Sequence, residues 1–262
     1  MTGGRESIIM KFLLLLLIAF LTDANAFAEG WDYSCGAGIR TLPFGSSAFG
    51  SLGYGKIFWG EKEGADSYKY GYFRPGVRVQ SSGLTNRAEA FLDFYPISFL
   101  GFSVGHYEGV RFTDTRTVNC VTAECRGLIG SSFVRSKFLA GYARFFFMAG
   151  AELHFLRSSS AKPFSEETSS LVGQTGGDKL FSYDLSLGLS LRDNLRAGLL
   201  HQGQRMINSG SANDLEALFF QWSRGALSIV PGAGLYHSTT AARSPTFFLA
   251  LRWVGVPSVG LF

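Results

Sequence analysis

His201 is the residue of this chain best placed to do acid–base chemistry. Three side chains that can orient an imidazole follow it: Asn213, Asp214 and Glu216. A histidine held by an acid or an amide can activate a hydroxyl group for attack on an ester. The position two residues after this histidine is Gly203, which has no side chain. The spacing therefore provides a base and three candidate partners without a nucleophile beside them.

The order His201-Gln202-Gly203, then Asn208, then Asn213 to Glu216 resembles outer-membrane phospholipase A and the lipid A deacylases. In those barrels a histidine and a serine two residues on share one outward strand face. An asparagine or an acidic residue lies on the next strand. The resemblance implies a hydrolase of phospholipid or lipid A acyl esters in the outer leaflet. Because Gly203 stands at the nucleophile position, Ser209 or Ser211 would have to act from a different geometry.

The other three histidines give weaker signals. His106 and Glu108 share one strand parity, and nearby glycines favour a bulge, so this pair either faces lipid or is shifted. His154 lies on the polar parity beside Glu152, where we expect a hydrogen bond inside the fold. His237 precedes a polar segment. No ligand spacing indicates a metal, and no glycine loop precedes a helix, so we expect no metal and no cofactor.

The elements that must carry these residues are β-strands. Between Lys179 and Leu191 apolar residues alternate with Ser, Asp and Gly, and residues 31–41, 147–155 and 247–253 repeat the pattern. An apolar face outside and a polar face inside suit lipid, and hydrocarbon does not tolerate an open sheet edge. The sequence predicts an all-β fold, a closed antiparallel transmembrane β-barrel of about 12 strands. The facing of residues 49–59 and 215–224 stays open, since both parities are apolar.

Charged residues on the inward parity predict ion pairs inside this barrel. If the hairpin folds about Gly83 and Leu84, Arg78 faces Glu89 and Arg74 faces Asp93. Opposite charges across a ladder contribute about 0.2–1 kcal/mol each. They either cross-link the interior or set the ion preference of a pore. The predicted lumen charges are Arg74, Arg78, Glu89, Asp93, Glu152, His154, Asp184 and Arg252.

The N-terminus predicts export. A basic start, the apolar run Phe12 to Leu21 and Ala24-Asn25-Ala26 indicate a signal peptide over residues 1–26, with cleavage after residue 28 as a second option. The run is too short to span a bilayer as a helix. Residues 27–262 then form a barrel domain in the outer membrane of a Gram-negative bacterium. Its long polar segments would face outward, and the tight turns and both termini would be periplasmic.

The three cysteines are interpreted by position. Cys120 and Cys125 lie close together in a polar segment, so an oxidising compartment favours a disulfide between them. Cys35 shares the outward parity of its strand and is expected to be a lone thiol against lipid.

Composition narrows the classes of function. The net charge of +4 is spread thinly, and no basic run is interleaved with aromatic residues, so we expect no nucleic-acid partner. We favour a non-enzymatic outer-membrane barrel, either a narrow pore for a small solute or a surface structural protein. The alternatives are the outer-leaflet lipid hydrolase and an adhesin or receptor acting through residues 158–178. Expected partners are outer-membrane lipid, lipopolysaccharide and the barrel assembly machinery.

Overall fold

Twelve long antiparallel strands form a closed barrel in the computed structural model, which describes residues 30–61, 69–112, 123–166, 169–239 and 241–256. The strands occur in the order β1 (Gly30–Arg40), β2 (Gly45–Gly60), β3 (Tyr70–Ser81), β4 (Thr85–Ile97), β5 (Leu100–Arg111), β6 (Gly127–Tyr142), β7 (Phe145–Ser158), β8 (Phe164–Ser165), β9 (Val172–Gly173), β10 (Gly177–Arg192), β11 (Leu195–Met206), β12 (Ala212–Arg224), β13 (Leu227–Ser238) and β14 (Ala241–Val256). Strands β8 and β9 form a separate small hairpin. The predicted fold class and strand number are confirmed.

The two ends of the barrel differ in their connections. One end, here the loop end, carries the connections 41–44, 82–84, 112–126, 159–176, 207–211 and 239–240. The other, here the turn end, carries 61–69 and four two-residue turns, together with the free ends of β1 and β14. The connection 207–211 has only five residues, because β12 begins at Ala212.

The outer surface is apolar because the period-two pattern faces outward. Leu187, Leu199 and Leu218 are each more than half exposed, although all three lie in the middle of their strands. Such a surface is unfavourable in water and is matched by the hydrocarbon of a bilayer. Backbone groups are satisfied by the closed ladder, which hydrocarbon requires. The barrel is therefore of the outer-membrane, lipid-spanning type.

Facing can now be assigned for the two strands that are apolar on both parities. In β2, Phe49, Ser51 and Ile57 point inward and Leu52 points outward. In β12, the odd positions point inward and the even ones outward. Among the described residues, no helix is long and apolar enough to cross a membrane. The predicted signal peptide over residues 1–26 lies outside the described residues.

The interior has two apolar clusters of buried side chains. The first, near the loop end, includes Phe91, Tyr107, Phe133, Leu156, Phe164, Leu171, Leu180 and Met206. The second, near the turn end, consists of Ile57, Tyr70, Tyr72 and Tyr95, with the rings of Tyr72 and Tyr95 stacked at a centroid distance of 4.4 Å. Between them lie most of the charged inward side chains.

Candidate functional site in the barrel lumen

One ion-pair network in the lumen is centred on Arg74. Its guanidinium donates from Nε to Asp32 Oδ2 at 2.7 Å and from Nη1 to Asp93 Oδ2 at 3.2 Å. Ser103 Oγ donates to the other oxygen of Asp93 at 2.7 Å. These four residues come from β1, β3, β4 and β5, so the network ties one side of the barrel together across several strands.

Gly53 is required for the contact between Arg74 and Asp32. Strand β2 lies between β1 and β3, and Asp32, Gly53 and Gly76 are neighbours in the ladder. A Cβ atom at Gly53 would lie 2.5 Å from the guanidinium of Arg74. The missing side chain lets Arg74 cross over β2 and reach β1.

A second network runs from β3 to β7. Glu89 Oε2 accepts from Arg87 at 2.9 Å, and its other oxygen lies 3.6 Å from Arg78 Nη1. On the neighbouring strands β6 and β7, Glu152 Oε1 accepts from Arg135 at 2.7 Å and lies 2.9 Å from His154 Nε2. The β3–β4 register pairs Arg74 with Asp93 and Arg78 with Glu89, as the sequence predicts.

The predicted lumen set thus divides into two groups. Six of its members belong to the two networks: Arg74, Arg78, Glu89, Asp93, Glu152 and His154. Asp184 and Arg252 also face the lumen, but they lie outside both networks and are exposed. Arg135 and Lys137 also face the lumen but are not among the predicted lumen charges, although their alternation with Val134 and Phe138 in β6 is the signal that places them inside.

The opposite wall is built from small residues. Gly36, Gly38, Gly232, Gly234 and Ala250 face inward on β1, β13 and β14. Because the other wall carries long charged side chains, the free space of the lumen lies along this side. A cavity of about 740 Å³ occurs here near the loop end.

The connection 159–176 narrows the mouth of this cavity. Phe164, Ser169 and Leu171 are 1%, 0% and 2% exposed, and Ser165, Glu166 and Ser170 line the cavity. We call residues 163–171 the inserted segment; of these, 167 and 168 lie outside the described residues. A long polar connection was expected to project outward, but its apolar residues instead join the cluster inside the barrel.

Hydrogen bonds hold the inserted segment in place. Asn213 Nδ2 donates to the Ser169 carbonyl at 2.6 Å, and Glu166 accepts from the backbone and hydroxyl of Ser169, each at 2.7 Å. Asp178, at the base of the connection, accepts from the backbone N–H groups of Asn208 and Ser209 at 2.9 and 3.1 Å. The segment is therefore fixed to β12, and the strand that follows it, β10, is joined at its start to the connection 207–211.

This use of Asn213 corrects one expectation about His201. Asn213 points into the lumen, whereas His201 points outward, so Asn213 cannot orient that imidazole. His201 Nε2 instead lies 2.9 Å from the Tyr183 hydroxyl, which in turn donates to Asp214 at 3.4 Å. Glu216, directly opposite His201, pairs with Arg243.

No serine completes a site at His201 among the described residues. A Cβ atom at Gly203 would lie 2.4 Å from the ring of Tyr183, so a serine could not replace it without displacing the tyrosine. Ser209 Oγ donates to the Val172 carbonyl at 2.7 Å. The phospholipase-like arrangement expected around His201 is therefore not formed. Within the described ranges, no three His, Cys, Asp or Glu side chains are grouped as a metal site.

The cysteines are placed as follows. Cys35 is free and exposed on the outer face of β1. Cys125 is buried beside the inserted segment, and Cys120 lies outside the described residues.

The Cys120–Cys125 disulfide therefore stays a prediction. We expect alkylation of the unreduced, denatured protein to modify Cys35 alone, and alkylation after reduction to modify all three cysteines. A small loop closed in an oxidising compartment is the physical reason. Peptide mass mapping checks this, and alkylation of Cys120 and Cys125 without a reductant would contradict it.

Comparison with known proteins found similar solved structures, all of low sequence identity. No protein-family model matches the chain, and no curated protein matches it. The translocator domain of the autotransporter NalP from Neisseria meningitidis is 10% identical, with 96% of this chain and 97% of that chain covered and a TM-score of 0.39. The NanC porin is 8% identical, with 84% and 98% covered and a TM-score of 0.43. The β domain of the Bordetella autotransporter BrkA is 10% identical, with 87% and 99% covered and a TM-score of 0.44.

The closed ladder and the apolar exterior described above define an integral β-barrel of the outer membrane.

Proposed function

We propose that the barrel is a narrow diffusion pore that prefers small anionic solutes. The observation that carries the proposal is the composition of the lumen, where cationic side chains outnumber carboxylates. The inward cations are Arg40, Arg74, Arg78, Arg87, Arg111, Arg135, Lys137, Arg196 and Arg252. The inward carboxylates of the strands are Asp32, Glu89, Asp93, Glu152, Asp178 and Asp184.

The excess positive charge lies where a solute would pass. Arg196 and Arg252 face the lumen toward the turn end, are exposed, and form no ion pair with any described residue. Arg252 extends from β14 in the small-residue wall, and Arg196 extends from β11, whose inward residues Gln202 and Gln204 line the same cavity. Charged groups lining a narrow, low-dielectric passage raise the local concentration of ions of opposite sign.

The number of strands and the position of the inserted segment favour a narrow pore over a wide one. Barrels of 16–18 strands leave an open channel, and about eight strands are filled by side chains. Twelve strands with one charged, filled wall and one glycine-rich wall leave an off-centre passage. The inserted segment narrows that passage at the loop end.

An adhesin acting through residues 158–178 receives less support. The apolar residues of that connection, Phe164 and Leu171, are buried within the barrel rather than displayed. Asn213 donates to the Ser169 carbonyl and the Gln174 backbone N–H donates to Asp178, and these hydrogen bonds hold the connection in that position.

The test is ion selectivity in a planar bilayer. In a KCl gradient across refolded protein, we expect a zero-current potential with the sign of chloride preference. We expect Arg196→Gln combined with Arg252→Gln to lower that potential by about half, because both charges border the passage. Arg224→Gln is the matched control, since Arg224 faces outward at the same end of the barrel.

Two results would contradict the proposal. One is a cation-selective zero-current potential in the unmodified protein. The other is the absence of conductance both in the unmodified protein and in a variant in which residues 161–174 are replaced by a short glycine–serine linker. In that second case the barrel would be a structural protein with a filled lumen.

A further inference from the structure

Three polar side chains form a chain of hydrogen bonds on the outer face of β5 and β6. Ser132 Oγ lies 3.1 Å from His106 Nδ1, and His106 Nε2 lies 3.0 Å from Glu108 Oε1. His106 and Ser132 are directly opposite each other in the β5–β6 ladder, and no register shift interrupts it. The side chains of His106 and Glu108 are 53% and 62% exposed. The pair therefore faces outward, and no bulge shifts it.

This arrangement differs from the polar contacts of the lumen in being accessible from the lipid side. The outward neighbours along the same strands are apolar, with Val104 and Val134 beside the cluster on the side of the turn end. Polar groups on a lipid-facing surface are unfavourable unless they are paired or serve a function. Here all three are joined in the order hydroxyl, imidazole, carboxylate.

That order is the one that activates a serine nucleophile. An imidazole in contact with a hydroxyl can remove its proton, and a carboxylate on the other ring nitrogen fixes the tautomer and stabilises the imidazolium. The contacts of 3.1 and 3.0 Å lie within hydrogen-bond reach.

A groove on the same outer surface adjoins the cluster. It has a volume of about 530 Å³, and Glu108 borders it. Its outward-facing lining is mostly small and apolar, with the polar residues Ser81 and Asn86 at the end of the groove nearest the loop end; the apolar residues are Ala48, Gly50, Val79, Ala88, Val110 and Leu128. Because this face contacts hydrocarbon, the occupant that suits the groove is the acyl chain of a membrane lipid. The groove residues lie toward the loop ends of their strands, and His106 and Ser132 follow them nearer the middle of β5 and β6.

We propose that Ser132, His106 and Glu108 form a hydrolytic site for acyl esters of lipids in the outer leaflet. This proposal is independent of the proposed pore. Ser132 Oγ attacks the ester carbonyl carbon while His106 takes the hydroxyl proton. The bond to the alkoxy oxygen breaks, the alcohol leaves with the proton from His106, and an acyl-Ser132 ester remains. Interfacial water then attacks that ester with His106 as base, which releases the fatty acid and restores Ser132.

The roles are distinct. Ser132 is the nucleophile, His106 is the base, and Glu108 is a positioning residue that acts through His106. This site lies on different strands from His201, and its nucleophile comes from the strand after the base.

The experiment uses the full chain refolded in detergent–lipid micelles. Two substrates separate the sources of the ester: a phospholipid with a fluorogenic acyl chain, and purified lipopolysaccharide followed by release of fatty acid. A fluorophosphonate probe reports nucleophilic serine directly. We expect turnover of at least one substrate and attachment of the probe at Ser132, located by mass mapping.

Variants distinguish catalysis from a structural role. We expect Ser132→Ala to lower turnover by about 10³-fold or more and to abolish labelling. Ser136→Ala is the matched control, since Ser136 faces outward on the same strand and is opposite Phe102 rather than His106. Glu108→Gln should lower the rate and change its dependence on pH. Heat-modifiable migration on gels verifies that each variant is folded.

The proposal fails if the folded protein hydrolyses neither substrate and Ser132 takes no label. It also fails if Ser132→Ala retains the activity of the unmodified protein. Either result would make the cluster a set of paired polar groups at the membrane interface.

Discussion

Replacing Arg74 with methionine is expected to destabilise the barrel by about 3–5 kcal/mol, as breaking a buried ion pair by removing one partner does. The side chains of Arg74 and Asp32 are only 10% and 6% exposed. Without the guanidinium, the carboxylates of Asp32 and Asp93 lie close together without their counter-charge. The lost attraction and the repulsion between the two carboxylates both destabilise the folded barrel.

The matched control is Arg78→Met on the same face of the same strand. The Arg78 side chain is 33% exposed and its contact with Glu89 measures 3.6 Å. Glu89 keeps Arg87 at 2.9 Å, so a loss of about 1 kcal/mol or less is expected. Urea titration of both variants in lipid vesicles, followed by tryptophan fluorescence, measures the two effects. Equal losses would mean that the Arg74 network does not hold the wall together.

Adding Asp32→Asn to Arg74→Met should restore part of the stability, because it removes one carboxylate that has lost its partner.

Leu187→Arg is expected to destabilise the folded barrel in lipid by about 2–4 kcal/mol. Leu187 is 54% exposed at the centre of β10 and faces hydrocarbon, where a guanidinium cannot keep its hydration. Ser186 faces the lumen but is only 5% exposed, so an arginine there would also be crowded.

Gln202→Arg is therefore the better inward control for Leu187→Arg. Gln202 lines the cavity and is opposite Asp184 in the β10–β11 ladder, so an added arginine has both space and a carboxylate. The measurement is the folded fraction in vesicles, read from heat-modifiable migration. A similar loss for both variants would reverse the assigned faces of β10 and β11.

The sequence predicts the barrel well because each strand repeats one local rule. Alternation places Leu187 outside and Asp184 inside without knowledge of any distant contact. Register across a short turn is equally local, which is why Arg74 and Asp93 are correctly paired across the 82–84 connection. Neither prediction depends on how a long connection folds.

Contacts that cross a whole strand or a long connection could not be predicted in this way. Arg74 reaches Asp32 because Gly53 has no side chain, which leaves space for the guanidinium to pass over β2. Ser132 and His106 are separated by the connection 112–126, whose length conceals the register of β5 and β6. Asn213 was included among the predicted partners of His201 because the facing of this strand stayed open in the sequence, and the structure places Asn213 on the inward parity.

The position of the inserted segment also could not be predicted from the sequence. Its composition is mostly polar, which is typical of an exposed connection. What places it inside is a few apolar residues, Phe164 and Leu171, that fit a cluster built from distant strands. A sequence contains those residues but does not show the space into which they fit.

The small-residue wall has a consequence for the kinetics of folding. β1 and β14 are the strands farthest apart in sequence, so joining them requires the largest loss of chain entropy. Their described ladder has eight residue pairs with one register shift, against fourteen uninterrupted pairs between β6 and β7. The inward residues at this seam include Gly36, Gly38 and Ala250, which offer little side-chain contact to guide the approach. We therefore expect the ring to close last at the β1–β14 pair, after the Arg74 network has joined β1 to β3, β4 and β5.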